Sequence, residues 1–428
     1  MKRYIGTRNN RIRCASDSEI INPDLEVLEI PSELDSFSLK DIMFNFKVKD
    51  GKFIRNGEKK LAKELKVAFV SNWKMQCGIS TYAEYMAAEL APFLGDIKLF
   101  IENNNNPTGP LNMLGNKLLP QDKIVECWKR GEAPIKLIEE IKSYDPDIVL
   151  INHEFGLWSN ARHWLSLLTQ LSDYRTIIIM HSVFPYHQDK SIYESGMPEI
   201  IVHLQGAKDN LINDKKITAP IHLIPHGCYP IVNQGKLWDN YKSENTFIQQ
   251  GFGFKYKNFE DSIRAAAILK KKYHNVFFTA MISESPFNKV AHQIYHDELI
   301  DLIKELDVQE NVAIIRGFQS DNIIDTCLRS NQVAVFPYLS VKGHEVFGSS
   351  GAARLAMAAG VPVISSNIPH FSDMPTIKIE TPEQMAKELD KLFSNRELKI
   401  EQIKKQNNFI QENSWANIAK QYVAIFEL

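Results

Sequence analysis

The sequence predicts an α/β protein: two Rossmann-like, doubly wound domains facing each other across a cleft, preceded by a small N-terminal appendage. Three observations carry this. From Leu65 onward, short runs that are apolar throughout alternate with stretches whose apolar residues recur at helical spacing. An unbroken apolar run suits a parallel strand covered on both faces, whereas a strand with one wet face would alternate. The series stops at the polar, aperiodic stretch Tyr229–Asn245 and begins again beyond it. That break divides 428 residues into two domains of ordinary size and an extra piece.

Residues 1–64 are mixed and charged, with short apolar runs such as LEVLEIP and FNFKV, and read as a β-rich appendage. Arg55–Lys66 reads as a polar helical connector. The first domain, 65–230, opens with a strand at Lys66–Val70 and the helical stretch CGISTYAEYMAAELAPFL. Its later strands are Asp147–Asn152, Arg175–Ser182, Glu199–Leu204 and Ile221–Gly227. The second domain, 245–395, has strands at Thr246–Phe252, Asn275–Ile282, Asn311–Phe318, Gln332–Tyr338 and Val361–Ser366, with a weak one at Thr376–Glu380. Two helices end the chain, Thr381–Asn395 and Glu397–Leu428. No repeat of fixed period is present, which excludes a solenoid.

Bulk properties narrow the function. Lys and Arg number 50 against 52 Asp and Glu, so no global field favours a polyanionic partner. The basic residues Lys2, Arg3, Arg8, Arg11 and Arg13 nevertheless precede the first acid, Asp17. Such an arm can contact the phosphates of a nucleic acid or an anionic lipid, although a solvated terminus is the plainer reading. The cysteines Cys14, Cys77, Cys127, Cys228 and Cys327 are odd in number and scattered. That argues against a disulfide framework or structural zinc and suits a reducing, cytoplasmic location. The start, MKRYIGTRNNRIRC, lacks an apolar signal region, and no apolar run approaches membrane-spanning length.

The segment most suggestive of chemistry is GHEVFGSSGAARLAMAAGVPVISSN, Gly343–Asn367. Gly348 and Gly351 allow a tight turn and close approach of backbone to a ligand. The alanine-rich helix that follows would aim its free N–H groups and positive dipole end at that turn, which suits a diphosphate. Ser349 and Ser350 add hydroxyl donors, and Glu345, just ahead, could accept from ligand hydroxyls. A capped helix with a solvated acid is the plainer alternative. His181 ends a predicted parallel strand, at the sheet edge where open α/β sheets bind ligands.

Taken with NWKMQCGISTYAEYM, INHEFGLW, IIIMHSVFP, LIPHGC, GFGFKYKNFEDSIRAAAIL, IIRGFQSDNIIDTCLRSNQVAVFPY and ENSWANIAKQY, this segment resembles the retaining GT-B glycosyltransferases. The likeness is to their sucrose-synthase and bacterial mannosyltransferase type, glycosyltransferase group 1, and covers about residues 65–428. It implies a glycosyltransferase that moves a hexosyl or pentosyl group from a nucleotide-diphosphate sugar, acting without cofactor or metal. It further implies that residues 396–428 return to the first domain. Lys257 would lie on the donor phosphates and His181 would reach the transferred sugar. Glu345 would serve as the first of a pair of acids, and Gly78 would let the first turn approach the donor. Lys255 would stand in for a family arginine whose place Phe252 holds. His153, Glu154 and His226 fall on the possible acceptor side. A front-face mechanism, in which the leaving phosphate helps deprotonate the acceptor, needs no nucleophile from the protein, and none is obvious.

One departure stands out. The family's second acid, eight residues past the first, is Ala353 here, or Leu355 when counted back from AMAAG, so the turn is two residues longer. SSGAA looks like a Ser-Gly-Ala variant of that turn. The acceptor stays open among glycans, lipids and modified DNA bases, as does the oligomeric state. A hydrolysing nucleotide-sugar 2-epimerase and a non-catalytic nucleotide-sugar binding protein are the alternatives.

Overall fold

The strand Lys66–Ser71 shows how the chain makes its sheets. Val67 and Phe69 point into one apolar cluster while Ala68 and Val70 point into another, and all four are fully buried. A strand with two dry faces needs helices on both sides, and the βαβ connections supply them. In the computed structural model this strand is central to a seven-stranded parallel sheet. The order is Ile221–Leu223, Glu199–Val202, Arg175–Met180, Ile148–His153, Lys66–Ser71, Asp96–Glu102, Ile124–Trp128. A second, six-stranded parallel sheet runs Val312–Arg316, Phe277–Ser283, Thr246–Phe252, Val333–Phe336, Val363–Ser366, Ile377–Ile379. The described residues are 2–8, 11–16, 20, 26–35, 39, 42, 46–49, 51–55, 60–103, 119–187, 189–196, 198–230, 244–284, 289–340 and 345–427.

All eleven strands expected in the two domains are present, some trimmed by a few residues. Two more, Asp96–Glu102 and Ile124–Trp128, were not anticipated: Lys98 and Glu126 interrupt their apolar runs. The expected connector Arg55–Lys66 is not a helix over its described part. Arg55 ends a strand, Ala62–Glu64 makes a single 3-10 turn, and Lys66 already belongs to the sheet. Most of the aperiodic stretch Tyr229–Asn245, residues 231–243, lies outside the described residues.

The N-terminal residues are not an extended arm. Tyr4–Arg8 and Arg11–Ser16 are paired antiparallel strands of a five-stranded sheet, completed by Glu26–Glu29, Phe46–Lys49 and Lys52–Arg55. Lys2 pairs with Glu29 at 3.0 Å and Arg3 with Asp35 at 2.9 Å. Carboxylates that the sequence places further along thus neutralise two of the five basic residues. Ile5, Phe46 and Val48 give this sheet a small core of its own.

The single last helix expected from Glu397 onward is two. Arg396–Glu412 ends at Asn413, and Ser414 caps a new helix, Trp415–Phe426, by accepting from the Asn417 amide. The second of these packs on Gly78–Leu90 in the first domain. Tyr422 and Tyr82 share a 2.7 Å hydrogen bond between hydroxyls, and Trp415 stacks on Tyr85 at 5.5 Å. Arg175 donates to the carbonyls of Ile425 and Phe426, closing the helix C-terminus. Side chains from both parallel sheets and Trp415, Ile418 and Tyr422 belong to one apolar cluster.

Gly227 makes this docking possible, because a Cβ there would lie 2.2 Å from the Trp415 ring. Gly227→Ala is expected to lower stability by about 1–3 kcal/mol, the usual cost of overpacking. Chemical denaturation of the two proteins measures it.

Candidate active site

A cavity of about 410 Å³ lies between the two parallel sheets. Its walls come from the C-terminal ends of strands. His181 follows Arg175–Met180, His203 follows Glu199–Val202, and His226 lies just beyond Ile221–Leu223. From the second domain come Gln250, at the end of Thr246–Phe252, then Lys257, His370 and the turn Ser349–Gly351. A two-stranded antiparallel pair, Ser182–Val183 with Phe347–Gly348, bridges the domains beside it.

Lys257 is positioned through its backbone. Its carbonyl accepts from Gln249 Nε2 at 2.7 Å, and Gln249 in turn accepts from Ser262 Oγ at 2.6 Å. Asn258, left-handed at φ 55°, then starts the helix Phe259–Lys270. The ammonium sits 3.8 Å from the Tyr338 ring centroid and 4.8 Å from that of Tyr256. Ring faces attract a cation without neutralising it. Among the described residues no carboxylate pairs with this ammonium. Desolvation therefore lowers its pKa to about 7. Lys257 also depresses His370, which burial chiefly pushes down to about 3.

The turn opposite begins a helix whose first amides face the cavity side. Ser350 caps the helix Gly351–Ala358 by accepting from the Ala353 amide at 3.3 Å. The buried Ser349 Oγ has no hydrogen-bond partner among the described residues. A buried hydroxyl left unpaired costs free energy unless a ligand or water takes it.

Three imidazoles pack round Tyr82, with centroid distances of 4.6 Å for His181, 5.4 Å for His203 and 5.2 Å for His226. Burial holds His203 at about 4 and His226 well below the usual histidine range, with Arg354 adding to both shifts. Both are therefore neutral near pH 7. Their Nδ1 atoms donate to the carbonyls of Ile224 and Gly227, so each Nε2 is an acceptor. His181 is likewise neutral through burial. Its Nε2 lies 2.9 Å from Asn152 Oδ1, while Asn152 Nδ2 donates to Ser71 Oγ, so Nε2 carries the proton and Nδ1 accepts. The cavity thus offers nitrogen acceptors suited to hydroxyls. Glu154 adds a carboxyl whose pKa burial raises; it accepts from Ser182 Oγ at 2.8 Å and from the Phe155 amide at 3.1 Å. Among the described residues no group of three or more His, Cys, Asp or Glu side chains could hold a metal ion.

Of the residues singled out by sequence, Gly78, Glu154, His181, His226, Lys257, Ser349, Ser350 and Gly351 line this cavity together. Three do not. Lys255 points to the surface, where it pairs with Glu298 at 2.8 Å. His153 is buried behind the wall, its ring against Trp164 and Phe155, and burial pushes it down to about 3. Glu345 is half-buried but off the cavity, because the bridging pair brings Gly348 there and leaves Glu345 beyond its end. Sequence reading missed His203, His370 and Arg354. His203 carried the same signal as His181, a polar residue at the end of an apolar strand. His370 lies on a 3-10 turn and Arg354 inside an alanine-rich helix, where neither position carries a periodic signal.

Residues 236–413 match the family model described as glycosyl transferases group 1. At the level of sequence, no curated protein matches the chain. Among solved structures, a glycosyltransferase from Rickettsia africae ESF-5 aligns with TM-score 0.64 at 15% identity, covering 85% of this chain and 98% of that one. An α,α-trehalose-phosphate synthase from Burkholderia xenovorans gives 0.63 at 11%, covering 85% and 100%. Sucrose-phosphate synthase from Thermosynechococcus elongatus gives 0.59 at 14%, covering 85% and 98%. At these identities the structures establish the fold, and the matched family model covers the segment that holds Lys257 and the Ser349–Gly351 turn. Residues 236–413 thus match a group 1 glycosyltransferase domain, and the chain has the two-domain fold of these glycosyltransferase structures.

Proposed function

We propose that this enzyme transfers a sugar from a nucleoside-diphosphate donor to an acceptor hydroxyl with retention of configuration. The observation that carries this reading is Lys257: a cation with no carboxylate partner among the described residues, sharing a cavity with a helix N-terminus and the unpaired Ser349 hydroxyl. A diphosphate satisfies all three. One relative of the same fold, from E. coli, is bound with UDP-2-fluoroglucose, and work on a trehalose-6-phosphate synthase concerns transfer with retention.

As the bond from sugar to phosphate breaks, negative charge grows on the departing oxygen. Lys257 and the amides of the turn stabilise it there, in a site that is oriented before reaction. The sugar faces the histidine wall, where His181 and His226 accept from its hydroxyls and His203 packs behind them. The acceptor hydroxyl enters from the Glu154 side, on the face the phosphate leaves, and passes its proton to the departing phosphate. Positioning carries the chemistry, so no covalent intermediate is needed. A carbohydrate acceptor suits the hydroxyl-binding character of that wall; of the N-terminal basic residues Lys2 and Arg3 are paired, and the side chains of Arg8, Arg11 and Arg13 lie outside those described. A cytoplasmic site of action and independence from metal belong to this reading. Among the described residues no helix is long and apolar enough to cross a membrane.

Lys257→Ala is expected to weaken nucleoside-diphosphate binding about tenfold or more, the scale of one charge-assisted hydrogen bond. Titration calorimetry with UDP and GDP tests this, and unchanged affinity for both would overturn the reading. His181→Ala is expected to cut transfer while leaving diphosphate affinity nearly intact.

The lowered pKa of Lys257 sets a pH dependence. Above pH 7 a terminal phosphate, whose second pKa is near 6, is already ionised, but free Lys257 is losing its proton. Binding must restore that proton. Affinity should therefore be highest below pH 7 and fall as pH rises above it, with proton uptake on binding near pH 8. Calorimetry in buffers of different ionisation enthalpy reads the uptake directly, and Lys257→Ala should abolish it.

A further inference from the structure

Arg354 is the one wholly buried arginine among the largest fully buried side chains, and the donor reading does not use it. It extends from the helix Gly351–Ala358 and binds three segments at once. Its Nε donates to the carbonyl of His226 in the first domain at 3.3 Å. One Nη donates to the carbonyl of Ser350 at 3.3 Å. The other forms an ion pair with Asp373, on the segment that follows His370. Phe409, on the helix Arg396–Glu412, covers the guanidinium at 5.7 Å.

The Ser350 contact has a geometric consequence. That carbonyl also receives the Arg354 amide at 3.4 Å, so its direction is fixed from inside the protein. In a trans peptide the carbonyl and the following N–H point opposite ways. The Gly351 N–H is thereby turned away from Arg354, toward the cavity that Gly351 lines. The His226 contact does the equivalent for the other wall, by holding the backbone of a residue whose ring faces the same space.

We propose that Arg354 is a positioning residue of the donor site. It holds the Ser349–Gly351 turn, the His226 strand end and the Asp373 segment in one geometry, so that a diphosphate meets oriented amides. This rests on the donor reading given above. A guanidinium suits the task because its rigid, planar fork reaches three acceptors in fixed directions, which an ammonium cannot do. A purely structural ion pair would act only through stability, and the two roles separate by experiment.

Three variants are compared with the wild type, using inorganic pyrophosphate and UDP as probes in calorimetry and thermal unfolding as the stability readout. Arg354→Met leaves Asp373 without its partner and should lower the melting temperature. The double variant Arg354→Met with Asp373→Asn removes both charges and should recover much of that loss. Arg354→Lys keeps the charge without the fork. If Arg354 positions the turn, the double variant and Arg354→Lys bind pyrophosphate and UDP about tenfold more weakly than wild type, the loss expected for a misaligned charge-assisted bond. Arg354→Lys is decisive, since it preserves the long-range attraction of a cation. Either variant with restored melting temperature and wild-type pyrophosphate affinity overturns the proposal. A wild type that binds neither pyrophosphate nor UDP overturns the donor reading itself, and is thereby distinguished from failure of the Arg354 inference.

Discussion

The cavity between the two sheets depends on how the domains dock, and the contact of Trp415 with Gly227 is central to that docking. Strands of the two sheets come to face one another only if the domains hold a fixed relation, and the chain between them cannot set it alone. The last helix does so by crossing back. Trp415 fills the space a Cβ would need at Gly227 and stacks on Tyr85, while a backbone hydrogen bond from the Cys228 amide to the Asn413 carbonyl ties the strand end to the start of that helix. Because one apolar cluster includes side chains of both sheets together with Trp415, Ile418 and Tyr422, domain orientation is part of the core. His226, next to Gly227, is placed by the same contact.

That arrangement lets the site separate its charges by wall. One wall is neutral by construction: three imidazoles kept uncharged by burial, with the Arg354 cation nearby disfavouring protonation of His203 and His226. The other wall carries Lys257, whose charge is answered, among the described residues, by aromatic faces. A hydrophobic setting raises the cost of an unmatched cation and so raises the gain when an anion arrives. Arg354 differs because Asp373 already satisfies it. Of Lys257 and Arg354, the paired cation is suited to hold structure and the other to bind ligand.

The sequence conveyed the fold well because parallel strands with two dry faces are written as unbroken apolar runs. It failed where that rule weakens. Ile124–Trp128 is an edge strand, and Asp96–Glu102 beside it carries Lys98 and Asp96, so neither reads as a continuous run. Much of the site was legible for a related reason, since residues at strand ends inherit the strand's signal: His181, His226 and Glu154 all reach the cavity. His153 was misjudged because strand ends alternate faces. It is the last residue of its strand and turns toward Trp164, while the neighbouring Asn152 supports His181. The separation of Lys255 from Lys257 is likewise a matter of direction. The two are in one 3-10 turn, yet the first meets Glu298 at the surface and the second meets Tyr338 inside. No pattern of residue types reports which way such a turn faces.

The longer turn after Glu345 also has a physical sense. Phe347–Gly348 pairs with Ser182–Val183 across the domain boundary, and the Phe347 ring lies so close to Gly206 that a Cβ there would approach it to 2.7 Å. At Gly348 a Cβ would stand 3.3 Å from the His181 carbonyl oxygen and 3.4 Å from Ser182 Oγ. The segment is therefore held as a strand against the first domain, and the chain needs extra residues to leave that strand before the helix can begin at Gly351. Ser349 and Ser350 are those residues. A turn anchored at both ends, by the strand pair on one side and Arg354 on the other, presents amides and the Ser349 hydroxyl where a carboxylate would repel a diphosphate.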